Sequence, residues 1–449
     1  MGKLFGTDGI RGRAGHYPMT PELVRKTGWA VACLRGRNNP RPTVVVGRDT
    51  RGSGPMLEQA LVQGLCAGGA RVVCAGVIPT PGLAFVCRSL AANAGIVISA
   101  SHNPHEDNGI KIFNQDGRKL SEAEEEALET LILDEQSSSW QDPSGWPGIG
   151  EDIADAADRY RAFLIGTVAN KNVFHGMSIA LDCANGATSS IAPDLFKALG
   201  SRVHAYFCQP DGTNINAGCG SEHPQGLCNR VVQTKAQIGL AFDGDGDRLV
   251  AVDETGRVLS GDQVLAICAI HLMRTGLLNP NRVVATVMSN IGLSLALAKE
   301  GIELVVTDVG DRHVMEKMVA TGAVVGGENS GHMIFRDHHS TGDGLISALQ
   351  LIGAMAAGAA PLSRLADLVP ILPQCLVNVV VKRKPQLDTV DPIVAVIADV
   401  NRQLGEKGRV LVRYSGTQSI CRVMVEGPTE EITKALCNRI AGVVQTALG

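Results

Sequence analysis

Short apolar runs alternate with longer amphipathic stretches along most of the chain. In the first third, residues 22–34, 56–67 and 83–90 carry helix-like spacing. Residues 43–46, 72–74 and 95–98 are apolar at nearly every position, as in strands buried on both faces. A further apolar run, 110–113, follows the turn dipeptide Asn108-Gly109. Ser121-Glu-Ala-Glu124 is a capping box that opens a helix to about residue 133. Strand-helix-strand alternation with fully apolar strands predicts a largely parallel α/β sheet covered by helices.

The pattern breaks at 136–151, a Ser/Pro/Gly-rich stretch that reads as a linker. A second α/β unit follows, with helices at 158–168 and 193–199 and strands at 179–182, 203–207 and 238–242. A polar loop, 211–224, leads into the last of these. A third unit runs from about 262 to 368 and repeats the order, with strands at 283–287 and 304–306. The proline-punctuated stretch 361–373 precedes a different pattern: strand 375–381, helix 393–404, strands 410–413 and 421–426, helix 430–448. The expected fold class is therefore α/β: three similar domains with mixed, largely parallel sheets, plus a C-terminal α+β domain. The expected domains are 1–150, 151–258, 259–368 and 369–449. Three units of one pattern suggest a structural repeat, although they share little residue identity.

Composition narrows the class. At roughly 150 residues per domain, the 449 residues fit three or four domains. Hydrophobic content of 45% and charged content of 19% suit packed cores. A net charge of −4 gives no bulk attraction for nucleic acid, so any anion binding must be local. No apolar run approaches about 18 residues, so no membrane span is expected. The start lacks a signal-like apolar region, and the twelve cysteines show neither C-x-x-C nor zinc spacing. Together these point to the cytoplasm, with cysteines as small core residues.

Four stretches carry chemistry. The strand ending at residue 98 runs into Ser99-Ala-Ser-His-Asn-Pro104, which places a serine on a tight loop beside His102, with Lys111 returning nearby. Ser101 is the expected nucleophile, because Ser99 still belongs to the strand end. Asp243-Gly-Asp-Gly-Asp-Arg248 puts carboxylates at every second position of a loop, with glycines that let Asp243, Asp245 and Asp247 turn to one point. Such hard oxygen ligands suit Mg²⁺ or Ca²⁺. An EF-hand is excluded, since Arg248 stands where its glycine is needed and the flanks are strand-like. Gly326-Gly-Glu-Asn-Ser-Gly-His332 gathers the donors and acceptors of Glu328, Ser330 and His332, a set suited to sugar hydroxyls. Arg413-Tyr-Ser-Gly-Thr417, with Arg422 on the next strand, resembles a phosphate cradle built from Arg413, Ser415, Gly416 and Thr417. The glycine-rich opening around Arg11 could hold a further oxyanion.

Taken together, these stretches resemble the α-D-phosphohexomutases over essentially the full length. The match also includes Phe5-Gly-Thr-Asp-Gly-Ile-Arg-Gly12, Asn108-Gly-Ile-Lys111, Asn214-Ile-Asn-Ala-Gly-Cys-Gly-Ser221 and Val309-Gly-Asp-Arg312. It is nearest to the branch that interconverts glucosamine 6-phosphate and glucosamine 1-phosphate. The resemblance implies four domains around a central cleft and a phosphorylated Ser101. It also implies one Mg²⁺ per subunit on Asp243, Asp245, Asp247 and the serine phosphate. Arg11, His102 and Lys111 would serve catalysis, Arg248, Glu328, Ser330 and His332 would bind the sugar, and the last domain would hold the substrate phosphate. Glucosamine 1,6-bisphosphate would be the intermediate. The expected partner is a phosphosugar, with neither nucleic acid nor membrane, and a homodimer is compatible with the family. Alternatives are the sister phosphomannomutase or phosphoglucomutase activity, a metal-dependent sugar phosphatase, or a non-catalytic regulatory homologue. Two stretches depart from the usual family pattern: Gln418-Ser419 in place of Glu-Pro, and Asn329 in place of Gln.

Overall fold

The computed structural model describes residues 4–6, 8–37, 39–134, 140–143, 145, 148–415 and 419–449. They gather into two compact units, Met1–Met288 with Ile302–Asp367, and Ser289–Gly301 with Leu368–Gly449.

The first sheet of the larger unit holds six strands: β1 (Ile10–Arg13), β2 (Thr43–Arg48), β3 (Arg71–Val77), β4 (Ala94–Ile98), β5 (Asp107–Asn114) and β6 (Glu151–Asp152), in the order β1-β5-β4-β2-β3-β6. Strand β2 lies parallel to β3 and β4, and β5 returns antiparallel along β4. The strands are apolar throughout because both faces are covered. Val44, Val46, Ile96 and Ile98 pack with the helices Pro21–Gly36 and Gly54–Ala67. Val45 and Val97 pack on the other face with Leu83 and Val86 of the helix Thr80–Ser89. Each such side chain contributes about 1.5–3 kcal/mol on burial.

The second sheet has β7 (Ser178–Asp182), β8 (Arg202–Tyr206), β9 (Ile238–Phe242) and β10 (Leu249–Asp253), in the order β10-β9-β7-β8. The third has β11 (Arg282–Thr286), β12 (Glu303–Thr307), β13 (Val325–Gly327) and β14 (Met333–Phe335), in the order β12-β11-β13-β14. The two share one topology. A central strand has a parallel neighbour on each side, and the second of these neighbours turns back into an antiparallel edge strand. The series β5-β4-β2-β3 of the first sheet has the same topology. The repeat inferred from hydrophobic pattern is therefore present in strand order. It places the serine loop between β4 and β5, the aspartate loop between β9 and β10, and the 328–332 loop between β13 and β14, at three equivalent corners.

The smaller unit carries β15 (Gln374–Val380), β16 (Arg409–Tyr414) and β17 (Ile420–Glu426), antiparallel in the order β15-β17-β16. Alternate residues Val423 and Val425 face the helices Asp391–Leu404 and Glu430–Leu448, packing with Ile393, Val400, Ile440 and Val444. The buried Glu426 carboxylate accepts from Arg409 Nε and from the Ile291 N–H, each at 2.8 Å. This ties the helix Ile291–Lys299 into the same unit.

Some elements differ from the sequence expectation, among them the short helix Leu362–Ala366 in the stretch expected as a linker. Residues 10–13, in the glycine-rich opening to which no strand was assigned, form an edge strand paired with β5. Between the expected loop 211–224 and β9 lies the helix Gln225–Thr234, a short and mostly polar segment that buries only Leu227 and Val231. The linker expected at 136–151 lies in part outside the described residues.

His339 ties the first repeat to the third. Its Nε2 lies 2.8 Å from the Pro81 carbonyl, and its Nδ1 accepts the Ser340 N–H at 2.8 Å. Burial pushes its pKa down to about 4, with the Pro81 contact opposing and the Arg88 charge assisting. The imidazole is thus neutral in the fold, whereas in the unfolded chain it binds a proton below about pH 6.5. Its contribution to stability is present at pH 7 and is lost as pH falls from about 6.5 toward 4. Between pH 7 and 5 the loss amounts to about 2 kcal/mol. Denaturant unfolding of wild type and His339→Gln at both pH values should show the wild-type advantage shrinking by that amount.

Candidate active site

Ser101 holds a backbone conformation that serine rarely adopts, with φ of +53°. Such strain persists only where neighbours fix it, and here they do. The Ser101 N–H donates to Ser99 Oγ at 3.0 Å, and Ser99 Oγ donates to Asp49 Oδ2 at 2.6 Å. Arg51 is wholly buried and splints the rest of the loop. Its Nε donates to Asp49 Oδ2 at 2.9 Å. Its terminal nitrogens donate to the carbonyls of Ser101 and Asn103, each at 2.9 Å, of Asp107 at 3.0 Å, and of Pro104. Ser99 is thus structural, and the hydroxyl that leaves the loop, toward Asp243, is that of Ser101.

Loss of Arg51 leaves Asp49 buried without its partner. Breaking a pair of this kind costs about 3–5 kcal/mol. Arg51→Met should therefore lower the unfolding free energy by that amount in a denaturant titration.

The aspartate loop presses on the serine loop from the second repeat. A Cβ at Gly244 would lie 2.6 Å from the Ser101 carbonyl oxygen, so only glycine permits the approach. Asn216 Nδ2 donates to that carbonyl at 2.9 Å. Ser101 Oγ donates to Asp243 Oδ2 at 2.5 Å. Asp245 Oδ2 accepts from Thr80 Oγ1 at 2.5 Å and from Lys111 Nζ at 2.8 Å, while Lys111 Nζ also lies 3.2 Å from Asp247 Oδ2. One carboxylate oxygen from each of Asp243, Asp245 and Asp247 lies within 4.8 Å of the others.

The donor set fits a hard divalent cation. All three aspartates are buried, and Asp245 Oδ1 and Asp247 Oδ1 have no hydrogen-bond partner. Burial, then the charges of Asp247 and Asp245, pushes the Asp243 pKa well up, as expected where negative charge exceeds its compensation. Lys111 supplies one positive charge. Burial alone would lower its pKa, but Asp245, Asp247 and Asp8 outweigh that and hold it protonated.

The loop of the third repeat lies beside this cluster. Arg248 and His332 form a backbone bridge, and the Leu249 N–H donates to the Gly331 carbonyl at 3.1 Å. His332 is held between acids, with Nδ1 3.7 Å from Asp247 Oδ1 and Nε2 3.7 Å from Asp311 Oδ2. Burial would lower its pKa, but Asp247, Asp311 and Glu328 together raise it. His102 has the opposite setting: burial, then Arg248, lowers its pKa, which leaves a neutral imidazole with Nδ1 3.4 Å from Ser101 Oγ.

A cavity of about 550 Å³ opens over these groups. Arg11, His102, Asp247, Arg248, Glu328, Ser330 and His332 line it, and Ser101, Lys111, Asp243 and Asp245 lie buried beside these residues. Ser330 Oγ and His332 Nε2 are buried without a hydrogen-bond partner. Unsatisfied donors and acceptors in such a setting suit a polar ligand. The structure therefore brings together the expected residues of the first three domains.

Arg413, Ser415 and Arg422 belong to the smaller unit. Arg413 on β16 pairs directly with Arg422 on β17, and like charges in register disfavour the sheet unless an anion offsets them. Ser415 donates its N–H to the Ile420 carbonyl at 2.9 Å. Gly416, Thr417 and the departure at Gln418 lie outside the described residues. Sequence reasoning missed Asp49, Arg51, Thr80 and Asn216. It also missed the acids and lysine on the cavity wall, Asp8, Asp311 and Lys119. Asp8, Asn216 and Asp311 lie within stretches that carry the family resemblance and Asp49 within the Gly47-Arg-Asp strand end, whereas Arg51, Thr80 and Lys119 had no local signal.

Known proteins match the chain along most of its length. Residues 2–139, 158–256 and 260–371 match the alpha/beta/alpha domains I, II and III of the phosphoglucomutase/phosphomannomutase family, and residues 376–443 match its C-terminal domain. A phosphoglucosamine mutase of Syntrophus aciditrophicus is 52% identical over 449 residues, covering all of both chains. A crystal structure of a phosphoglucomutase/phosphomannomutase family protein from Burkholderia thailandensis superposes with a TM-score of 0.81 at 26% identity, over 99% of this chain and 97% of that one. The N-acetylphosphoglucosamine mutase of Aspergillus fumigatus, solved with GlcNAc-6P and magnesium, shares the fold with a TM-score of 0.70 at 18% identity, over 99% and 96% of the two chains. Among the described residues no helix is long and apolar enough to cross a membrane. The chain belongs to the phosphoglucomutase/phosphomannomutase family.

Proposed function

We propose that the protein is a phosphoglucosamine mutase, converting glucosamine 6-phosphate to glucosamine 1-phosphate through phosphorylated Ser101. The observation that carries this reading is the Ser101 hydroxyl, 2.5 Å from Asp243 of a buried three-carboxylate cluster, beside a polar cavity. Full-length relatives of the same activity, 52% identical in one case, support the choice of sugar. The reading distributes the work over domains 1–150, 151–258, 259–368 and 369–449. It makes the protein a cytoplasmic enzyme with one Mg²⁺ per subunit, and it is compatible with a homodimer.

In this account the free hydroxyl of the sugar phosphate attacks the phosphorus on Ser101, the P–Oγ bond breaks, and glucosamine 1,6-bisphosphate forms. The bisphosphate turns over and returns its other phosphoryl group to Ser101. Neutral His102, beside Ser101 Oγ, is placed to hold the proton lost by the attacking hydroxyl. Lys111 stays cationic and offsets phosphoryl charge. Asp243, Asp245 and Asp247 would hold Mg²⁺, and the bound ion would neutralise charge developing on the transferring group. Arg248, Glu328, Ser330 and His332 would bind the sugar, and Arg11 would serve catalysis with His102 and Lys111. Arg413, Ser415, Gly416, Thr417 and Arg422 would hold the phosphate that is not reacting.

The test is turnover of glucosamine, glucose and mannose 6-phosphates compared by kcat/KM. Glucosamine 6-phosphate should be preferred. Equal or greater turnover of glucose or mannose phosphate would favour the sister activity, to which Asn329 in the ring-binding loop is the relevant sequence departure. Release of inorganic phosphate as the main product would favour a phosphatase.

A further inference from the structure

We infer that Lys119 is a positioning residue of the reaction, acting through Asp8 and Asp311 on the groups that face the substrate. The inference rests on the proposed mutase reading. Lys119 follows β5 in the first repeat, and its side chain is 12% exposed. Its Nζ meets Asp311 Oδ2 of the third repeat at 2.5 Å and also meets Asp8 Oδ1. The other oxygen of Asp8 is taken by Arg11 and, at 3.1 Å, by Lys111. The Asp311 oxygen that holds Lys119 also faces His332 Nε2 at 3.7 Å.

The groups close into a ring. Lys111 leads to Asp8, Lys119, Asp311 and His332, then through Asp247 back to Lys111. Every member but Lys119, Asp8 and Asp311 has a role in the account above, and these three complete the circuit. Among the described residues, Lys119 is the side chain that contacts both acids. Without it, Asp8 keeps Arg11 and Lys111 but loses its tie to Asp311, and the two carboxylates repel one another. Lys111 and Arg11 would then shift with Asp8, and His332 with Asp311. Because a phosphoryl acceptor must be held to within fractions of an ångström, such shifts reach the rate before they reach binding.

A simple inter-repeat tie would show the same contacts but a different response to mutation. Loss of a residue that orients catalytic groups typically costs about 10–100-fold. Lys119→Met should lower kcat by that factor with KM moving by less than about threefold, and it should lower the melting temperature. Lys119→Arg, which can also bridge two carboxylates, should restore most of kcat. The double variant Lys119→Met/Asp311→Asn removes one charge of each sign. It should regain much of the lost melting temperature while kcat stays at least about tenfold down. Recovery of kcat along with stability would reduce Lys119 to a structural tie, and an unimpaired Lys119→Met would overturn the inference outright.

Amide exchange of the segments around Asp8 and Asp311, measured without substrate, separates this question from the choice of sugar. Faster exchange in both segments of Lys119→Met is expected. If the wild type fails to turn over glucosamine 6-phosphate yet exchange rises, the substrate reading fails while the role of Lys119 in holding Asp8 and Asp311 stands. If exchange is unchanged, the positional role fails whatever the substrate.

Discussion

Ser101→Ala is expected to lose mutase turnover by roughly 10⁴-fold or more, because no other group can take the place of a covalent acceptor. The fold should survive. Alanine keeps the Cβ, so the strain at φ +53° is unchanged, and the splint from Arg51 and Asn216 reaches the Ser101 carbonyl rather than its side chain. What is lost is one hydrogen bond to Asp243, which still accepts the Arg248 N–H at 3.2 Å. Ser99→Ala should behave in the opposite way. Its hydroxyl both donates to Asp49 and accepts the Ser101 N–H, so stability should fall while a measurable rate remains. Rates and melting curves for the two variants check the assignment. An active, folded Ser101→Ala protein would refute it.

Thorough removal of divalent metal is expected to slow turnover by about 10²–10³-fold, the effect of several kcal/mol of lost charge stabilisation. Asp245→Asn should weaken metal binding and turnover together. The metal-free fold should tolerate the change, since Lys111 keeps Asp247 at 3.2 Å and Asp8 at 3.1 Å. It also removes one of three carboxylates that crowd one another. Calorimetric Mg²⁺ titration beside the rate assay tests both halves. Full activity of stripped protein in excess chelator would contradict the metal role.

The sequence revealed what is local. Apolar strands such as residues 43–46 and 95–98 announce burial on both faces, and Asp243, Asp245 and Asp247 announce a cation by spacing alone. The chain also showed three units of one pattern, and strand order explains why their motifs recur at corresponding corners. The supports of the site were not legible. Arg51 binds carbonyls some 50 residues away in sequence, which no side-chain motif records. Lys119 resembles any lysine after a turn until Asp311, distant in the chain, meets it. The edge strand at residues 10–13 was hidden because its glycine-rich sequence favours a turn, and only pairing with β5 makes it a strand.

The central claim is that phosphate moves through Ser101. The direct measurement uses glucosamine 6-phosphate carrying labelled phosphate, followed by rapid quenching, digestion and mass analysis of the peptide that contains Ser101. The account expects label on Ser101 during turnover, appearing and disappearing fast enough to match kcat, together with labelled glucosamine 1-phosphate. Formation of glucosamine 1-phosphate with no label ever reaching Ser101 would contradict it.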